Sequence, residues 1–186
     1  DMNTGDFILT PAGSWHDHTN GAKDAVVWLD GLDGPLIQSL NEAFFEGYAE
    51  PYQAIERVAG PPLRVSWEEA KAQVYAMGEG DASPDLGACF EYPELPTLAC
   101  RLVLQRDGKL LREHRRRSAA VFHVVQGRGR TVVGEDTFEW GPGDTFVVPA
   151  WRWCRHAGGE GGDAILFSMD DSPALRALGL YKEEAR

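Results

Sequence analysis

From residue 97 onward, the pattern of apolar and polar positions gives strand signals in short runs at 98–104, 119–125, 130–133, 137–140, 145–148 and 164–168. Period two sends successive side chains to opposite faces of a strand. Turn residues such as Gln126-Gly127 and Gly141-Pro142-Gly143-Asp144 separate the runs. Six or more short strands within about 75 residues predict a compact antiparallel barrel or sandwich.

The proximal part reads differently. Residues 1–35 carry two strand-like runs, 7–10 and 25–29, flanked by Gly, Asn and Asp. Residues 36–95 form a mixed connector. Leu36, Ile37, Leu40, Phe44 and Phe45 recur at helical spacing up to Gly47. Ser66-Trp67-Glu68-Glu69 is a capping box whose serine and glutamate can each satisfy a backbone N–H of a first turn, and it predicts a helix through Met77. Residues 80–96, rich in Gly, Pro and acids, read as a linker. Beyond the strands, Ser172-Pro173 opens a helix that Gly179 stops, and a C-terminal helix is expected over 172–186.

The two ends repeat one another. Gly5-Asp6-Phe7-Ile8-Leu9-Thr10-Pro11-Ala12 aligns with Gly143-Asp144-Thr145-Phe146-Val147-Val148-Pro149-Ala150, and Trp15 falls in register with Trp153. This implies two copies of one supersecondary unit. Because residues 7–10 enter a strand with no preceding element to pair with, the sequence reads as a fragment.

Composition narrows the function classes. A formal charge of −11 repels phosphate backbones, so nucleic acid is not an expected partner despite Arg112, Arg115, Arg116 and Arg117, which read as a solvated strand end. No apolar run reaches the roughly 18 residues of a membrane span, and no signal peptide opens the chain. Cys89, Cys100 and Cys154 are odd in number and fit no metal or redox spacing, which points to a reducing cytoplasm.

The chemistry gathers early in the chain. Gly5-x5-Pro11-x-Gly13-x2-His16-x3-Asn20 matches the second sequence motif of the cupins. Pro11-x3-Trp15-His16-Asp17-His18 and Val27-Trp28-Leu29-Asp30-Gly31-Leu32-Asp33 resemble gentisate 1,2-dioxygenase and its relatives acting on salicylate and 1-hydroxy-2-naphthoate. His123-Val124-Val125-Gln126-Gly127-Arg128-Gly129, the stretch from Trp140 to Pro149, and Ala177-Leu178-Gly179-Leu180-Tyr181 resemble the distal half of the same bicupins.

The resemblance implies an all-β fold of double-stranded β-helix (cupin) barrels, a bicupin with its first barrel incomplete and short connecting helices. Residues 1–35 would be the last part of the first barrel, 36–95 the connector, 96–171 the second barrel and 172–186 the terminal helix. It further implies a cytoplasmic, homotetrameric, Fe(II)-dependent dioxygenase of aromatic catabolism. Such an enzyme inserts both atoms of O2 into a hydroxybenzoate ring between the carboxyl-bearing and hydroxyl-bearing carbons, giving maleylpyruvate from gentisate. His16 would be a metal ligand. His18 and Asp30 would line the pocket, position the substrate and assist proton transfer. Asp30 could instead cap the turn at Gly31, and Trp15 and Trp28 read as core residues. The remaining ligands would come from a His-x-His pair upstream, so the fragment alone is expected to be inactive.

The second barrel departs from the ligand pattern. Gly108-x5-His114 opens the first cupin motif, but Arg116 replaces its second His, Ala120 stands at the Glu position, and Cys154 takes the place equivalent to His16. His123 and His156 are out of register and read as structural. A metal-free packing and assembly barrel is therefore expected there. The rival reading of the whole chain is a metal-free cupin serving as a binding or oligomerisation module.

Overall fold

The computed structural model describes residues 2–51, 64–78, 86–92, 95–159 and 161–186. In chain order the elements are β1 (Phe7–Ile8), α1 (Gly34–Ser39), β2 (Arg64–Val65), α2 (Trp67–Met77), β3 (Ala88–Glu91), β4 (Ala99–Gln105), β5 (His114–Arg116), β6 (Ala120–Gln126), β7 (Gly129–Val133), β8 (Asp136–Trp140), β9 (Thr145–Val148), β10 (Cys154–Gly158), β11 (Ala164–Asp170), α3 (Ser172–Ala177) and β12 (Glu183–Ala185). They fall into two compact units. One comprises Asp1–Phe7 with Val65–Arg186, the other Ile8–Arg64.

The larger unit is a barrel of two five-stranded antiparallel sheets, ordered β12-β5-β10-β7-β8 and β3-β4-β11-β6-β9. Period-two alternation divides the apolar residues of β4 and β11 between two cores. Val103 and Leu166 point inward with Phe122, Val124, Val133, Trp140, Val148 and Cys154. Leu102, Leu104 and Ile165 face outward, where Ala70 and Val74 of α2 cover them. Both faces of the sheet are thus dry, which explains why 98–104 reads as an almost unbroken apolar run.

Helix α2 forms where the capping box places it. Ser66 is extended at φ −71° and ψ 150°, and its hydroxyl accepts from Glu69 N–H. A second cap comes from far along the chain, because Asp6 Oδ1 accepts from Trp67 N–H at 3.0 Å. Ala70 and Val74, one turn apart, are fully buried.

The internal repeat survives as geometry. Asp6 N–H donates to Asn3 O and Asp144 N–H to Gly141 O, both at 3.1 Å. Asp6 Oδ2 accepts from Asn3 N–H and Asp144 Oδ2 from Gly141 N–H, both at 2.8 Å. The intervening glycines share the left-handed region, at φ 86° for Gly5 and 89° for Gly143. Gly5 has a further constraint, since a Cβ there would lie 2.9 Å from the Trp67 ring.

Several elements differ from expectation. The terminal helix stops at Ala177. Gly179 at φ 69° lets Gly179 N–H and Leu180 N–H cap the Arg176 and Leu175 carbonyls, and the chain returns as β12 beside β5. Residues 172–186 are therefore a short helix and a strand, not one helix. Residues 88–91, within the stretch read as a linker, form β3 against β4. The rest of that stretch at 80–85 and 93–94, and connector residues 52–63, lie outside the described residues.

In the smaller unit the helix expected from Leu36 to Phe45 ends at Ser39. Asn41 at φ 57° closes it, with Asn41 N–H on Gln38 O and Glu42 N–H on Ile37 O. The run 25–29 is irregular rather than a strand. No neighbouring strand takes its backbone hydrogen bonds among the described residues of that unit, and an isolated extended segment gains nothing to offset its ordering entropy.

Candidate metal centre and active-site residues

His16, His18 and Asp30 lie in the smaller unit, all exposed. His16 Nδ1 is 3.2 Å from Ser14 O. Its ring meets His18 edge-on, with centroids 5.6 Å apart. His18 in turn stacks on Trp28 at 5.2 Å and 20° between planes. The two Trp residues assigned to a core are instead half exposed, Trp15 at 50% and Trp28 at 51%. Trp15 donates from Nε1 to Glu46 O at 3.3 Å and meets Tyr48 edge-on. The structure thus brings His16, His18 and Trp28 into one aromatic row. Asp30 is exposed as well.

Iron in a cupin is held by several imidazoles and often a carboxylate. His16 and His18 offer two imidazoles. Among the described residues they are not part of any group of three donors within reach of one ion. Taken alone, these residues do not make a complete site for Fe(II).

The second barrel holds a different arrangement. Strands β5 and β10 are antiparallel neighbours with Cys154 opposite His114. His156 lies two residues further along β10 and so shares the inward face. All three side chains are buried, and their ligand atoms lie within 4.8 Å of one another. Cys154 Sγ is 3.4 Å from His114 Nε2. His156 Nδ1 is 2.9 Å from Thr131 Oγ1, which also accepts from Trp140 Nε1–H at 3.0 Å. His156 Nε2 is buried with no hydrogen-bond partner. Burial, followed by the charges of His114 and Arg116, lowers the His156 pKa to about 3, so the ring is neutral at ordinary pH.

The sequence reads His156 as out of register and structural; the structure places it in the buried core, on the same inward face as Cys154. Its signal was present in the two-residue spacing from Cys154, but Cys-Arg-His-Ala-Gly carries little strand propensity, so β10 and its inward face were not foreseen. The cavity that these residues line, together with Phe122 and Val148, has room of about 20 Å³. That suits one water or ion and is far below what a hydroxybenzoate needs.

Comparison with known proteins follows this geometry. Residues 101–169, from β4 through β11, match the family model described as "Cupin domain". The chain is 38% identical to 5-aminosalicylate 1,2-dioxygenase of Comamonas sp over 97% of its length and 56% of the relative's. It is 31% identical to gentisate 1,2-dioxygenase 1 of Aquipseudomonas alcaligenes over 98% of this chain and 60% of that one. The chain contains a cupin domain, and its homologues include 5-aminosalicylate and gentisate 1,2-dioxygenases. A solved variant of salicylate 1,2-dioxygenase from Pseudoaminobacter salicylatoxidans, in complex with gentisate, superposes with a TM-score of 0.83 at 26% identity. It covers all of this cupin and 61% of the solved chain. This cupin therefore spans a little over half the length of the relatives it matches. Among its described residues no helix is long and apolar enough to cross a membrane.

Proposed function

We propose that this cupin contributes the second barrel, and the part of the first barrel bearing His16, to a cytoplasmic Fe(II)-dependent dioxygenase that opens the ring of gentisate or a related hydroxybenzoate. The observation that carries this reading is 38% identity to a 5-aminosalicylate 1,2-dioxygenase along 97% of the chain, the His16 segment included. In this reading the remaining iron ligands come from sequence outside these 186 residues, since His16 and His18 alone do not complete a set. The metal, when bound, would bring the aromatic acid and O2 into one coordination sphere.

The chain's own contribution is positional. His18, braced by its stack on Trp28, would orient the substrate hydroxyl, and Asp30 would hold a proton leaving it. Both atoms of O2 enter the product, so the reaction needs no external reductant. Homotetrameric assembly accompanies the proposal.

The test begins with the reading frame upstream of Asp1. A Pro-x-His-x-His segment should be encoded there. The protein including it should consume O2 with gentisate, salicylate or 1-hydroxy-2-naphthoate, and form a product with the ultraviolet absorbance of a ring-opened keto acid. Absence of that segment, or its presence with no turnover of any hydroxybenzoate, favours the rival reading of a cupin that binds or assembles without catalysis.

A further inference from the structure

We propose that His114, Cys154 and His156 form a second metal site inside the barrel, independent of the proposed iron centre and selective for Zn(II) over Fe(II). The donors come from two paired strands. Cys154 stands directly across from His114, and His156 is the next inward residue on β10. Tetrahedral zinc with one thiolate and two imidazoles places its donor atoms ~3.3–3.6 Å apart. Cys154 Sγ and His114 Nε2 already stand 3.4 Å apart, and the three ligand atoms lie within 4.8 Å. Closing that spread to tetrahedral edges takes roughly 1 Å of side-chain adjustment.

Two independent features point to a ligand here. First, His156 Nε2 is a fully buried polar atom with no partner, on a residue that lines the cavity. An orphaned buried nitrogen costs about 1–3 kcal/mol unless something occupies the position it faces. Second, the other ring nitrogen is already committed. Nδ1 lies 2.9 Å from Thr131 Oγ1, which fixes the ring orientation, and a metal on Nε2 would select the tautomer in which Nδ1–H donates to that hydroxyl.

The choice of ion follows from the donors and the space. A thiolate with two imidazoles is a borderline-soft set that suits zinc, and Fe(II) stands below zinc in intrinsic affinity for such sites. Room of about 20 Å³ admits an ion with one water and excludes an aromatic acid. The ion would therefore serve structure, tying β5 to β10. The guanidinium of Arg116 also lines the cavity, but its Nε is 3.4 Å from Glu183 of β12, and the thiolate offsets one charge of the metal.

The site is tested on the 186-residue chain, reduced and stripped of metal, and titrated anaerobically with Co(II). A thiolate-to-cobalt charge-transfer band should grow to one cobalt per chain and vanish on addition of Zn(II), and Zn(II) should raise the thermal midpoint of unfolding. Cys154→Ser should remove the band, while the Cys89→Ser/Cys100→Ser double variant and His16→Ala should retain it. Thr131→Val, which leaves all three ligands in place, should weaken binding about 10–100-fold. Absence of a stoichiometric band in the folded chain, or its persistence in Cys154→Ser, overturns the proposal. Should Cys154→Ser fail to fold, Thr131→Val decides, since unchanged affinity there is equally fatal.

Discussion

Asp6 and Asp144 close two copies of the same turn, each through Oδ2 accepting a backbone N–H three residues earlier at 2.8 Å. They differ in one respect. Asp6 also accepts from Trp67 N–H through its other oxygen, which joins the turn to the positive end of α2. Asp144→Ala should therefore cost about 1 kcal/mol of barrel stability, and Asp6→Ala about 1.5–3 kcal/mol, in denaturant unfolding. Equal losses would mean that the link from Asp6 to the helix contributes nothing.

The buried pair Arg101–Asp170 sets the acid limit of the barrel. Arg101 on β4 reaches Asp170 at the end of β11, and Asp170 also accepts from Ser172 N–H at 2.9 Å. Burial raises the Asp170 pKa, but the Arg101 charge and the Ser172 hydrogen bonds more than compensate, so the net shift is downward. A carboxylate whose folded pKa is depressed contributes stability that is complete above its unfolded value near 3.9 and is lost as pH falls through the folded value. Unfolding free energy should fall with pH below about 4, and Asp170→Asn should flatten that slope. Asp170→Asn should also cost about 1–3 kcal/mol at neutral pH, because Arg101 is left with only the more exposed Glu91, 3.1 Å from its Nε. The pH slope is read from urea midpoints across the acid range.

Strand β12 is fastened by stacked cations. The Arg115 guanidinium lies over Trp151 at 4.3 Å and Trp153 at 4.6 Å, and it grips Glu184 Oε2 through both Nε and a terminal nitrogen. Arg186 covers Trp153 as well, at 4.3 Å. Lysine can supply the charge but neither the planar stack nor the two-pronged contact. Arg115→Lys should accelerate amide exchange over Glu183–Ala185 while leaving β4 and β11 protected. Unchanged exchange at β12 would show that backbone pairing alone holds it.

How much of this was legible in the sequence depends on where the physics is local. The strands at 145–148 and 164–168 and helix α2 were readable because short apolar runs, turn glycines and the Ser66 cap are carried by neighbouring residues. The repeat was readable because Gly5-Asp6 and Gly143-Asp144 build one turn by themselves. Strands β5, β10 and β12 were not, because His-Arg-Arg, Cys-Arg-His-Ala-Gly and Glu-Glu-Ala become strands only through pairing across the sheet. The motif put His114 and Cys154 at ligand positions, but His156 beside them was hidden for the same reason, since it sits on a strand that the pattern does not announce. The exposed row of His16, His18 and Trp28 shows the converse: the motif named these residues, but the described residues of their unit, 8–51 and 64, are mostly irregular around them.

In the proposed reading His18 and Asp30 would serve the substrate and its proton rather than the metal. In the protein that includes the upstream segment, His18→Ala and Asp30→Ala should retain iron and lower turnover about 10–100-fold. Trp28→Ala should act with His18→Ala rather than add to it, because the stack at 5.2 Å is what holds that imidazole. Full additivity in the double variant would separate the two residues.

His16 is proposed to hold the iron of a ring-opening dioxygenase. The most direct test is the iron content of that longer protein, purified anaerobically with and without His16→Ala, beside its O2 uptake with gentisate. Stoichiometric iron outside the His114, Cys154 and His156 cluster is expected, lost together with O2 uptake in His16→Ala. Iron retained by His16→Ala but lost in His18→Ala would place the ligand at the wrong histidine, and O2 uptake undiminished in His16→Ala would contradict the claim outright.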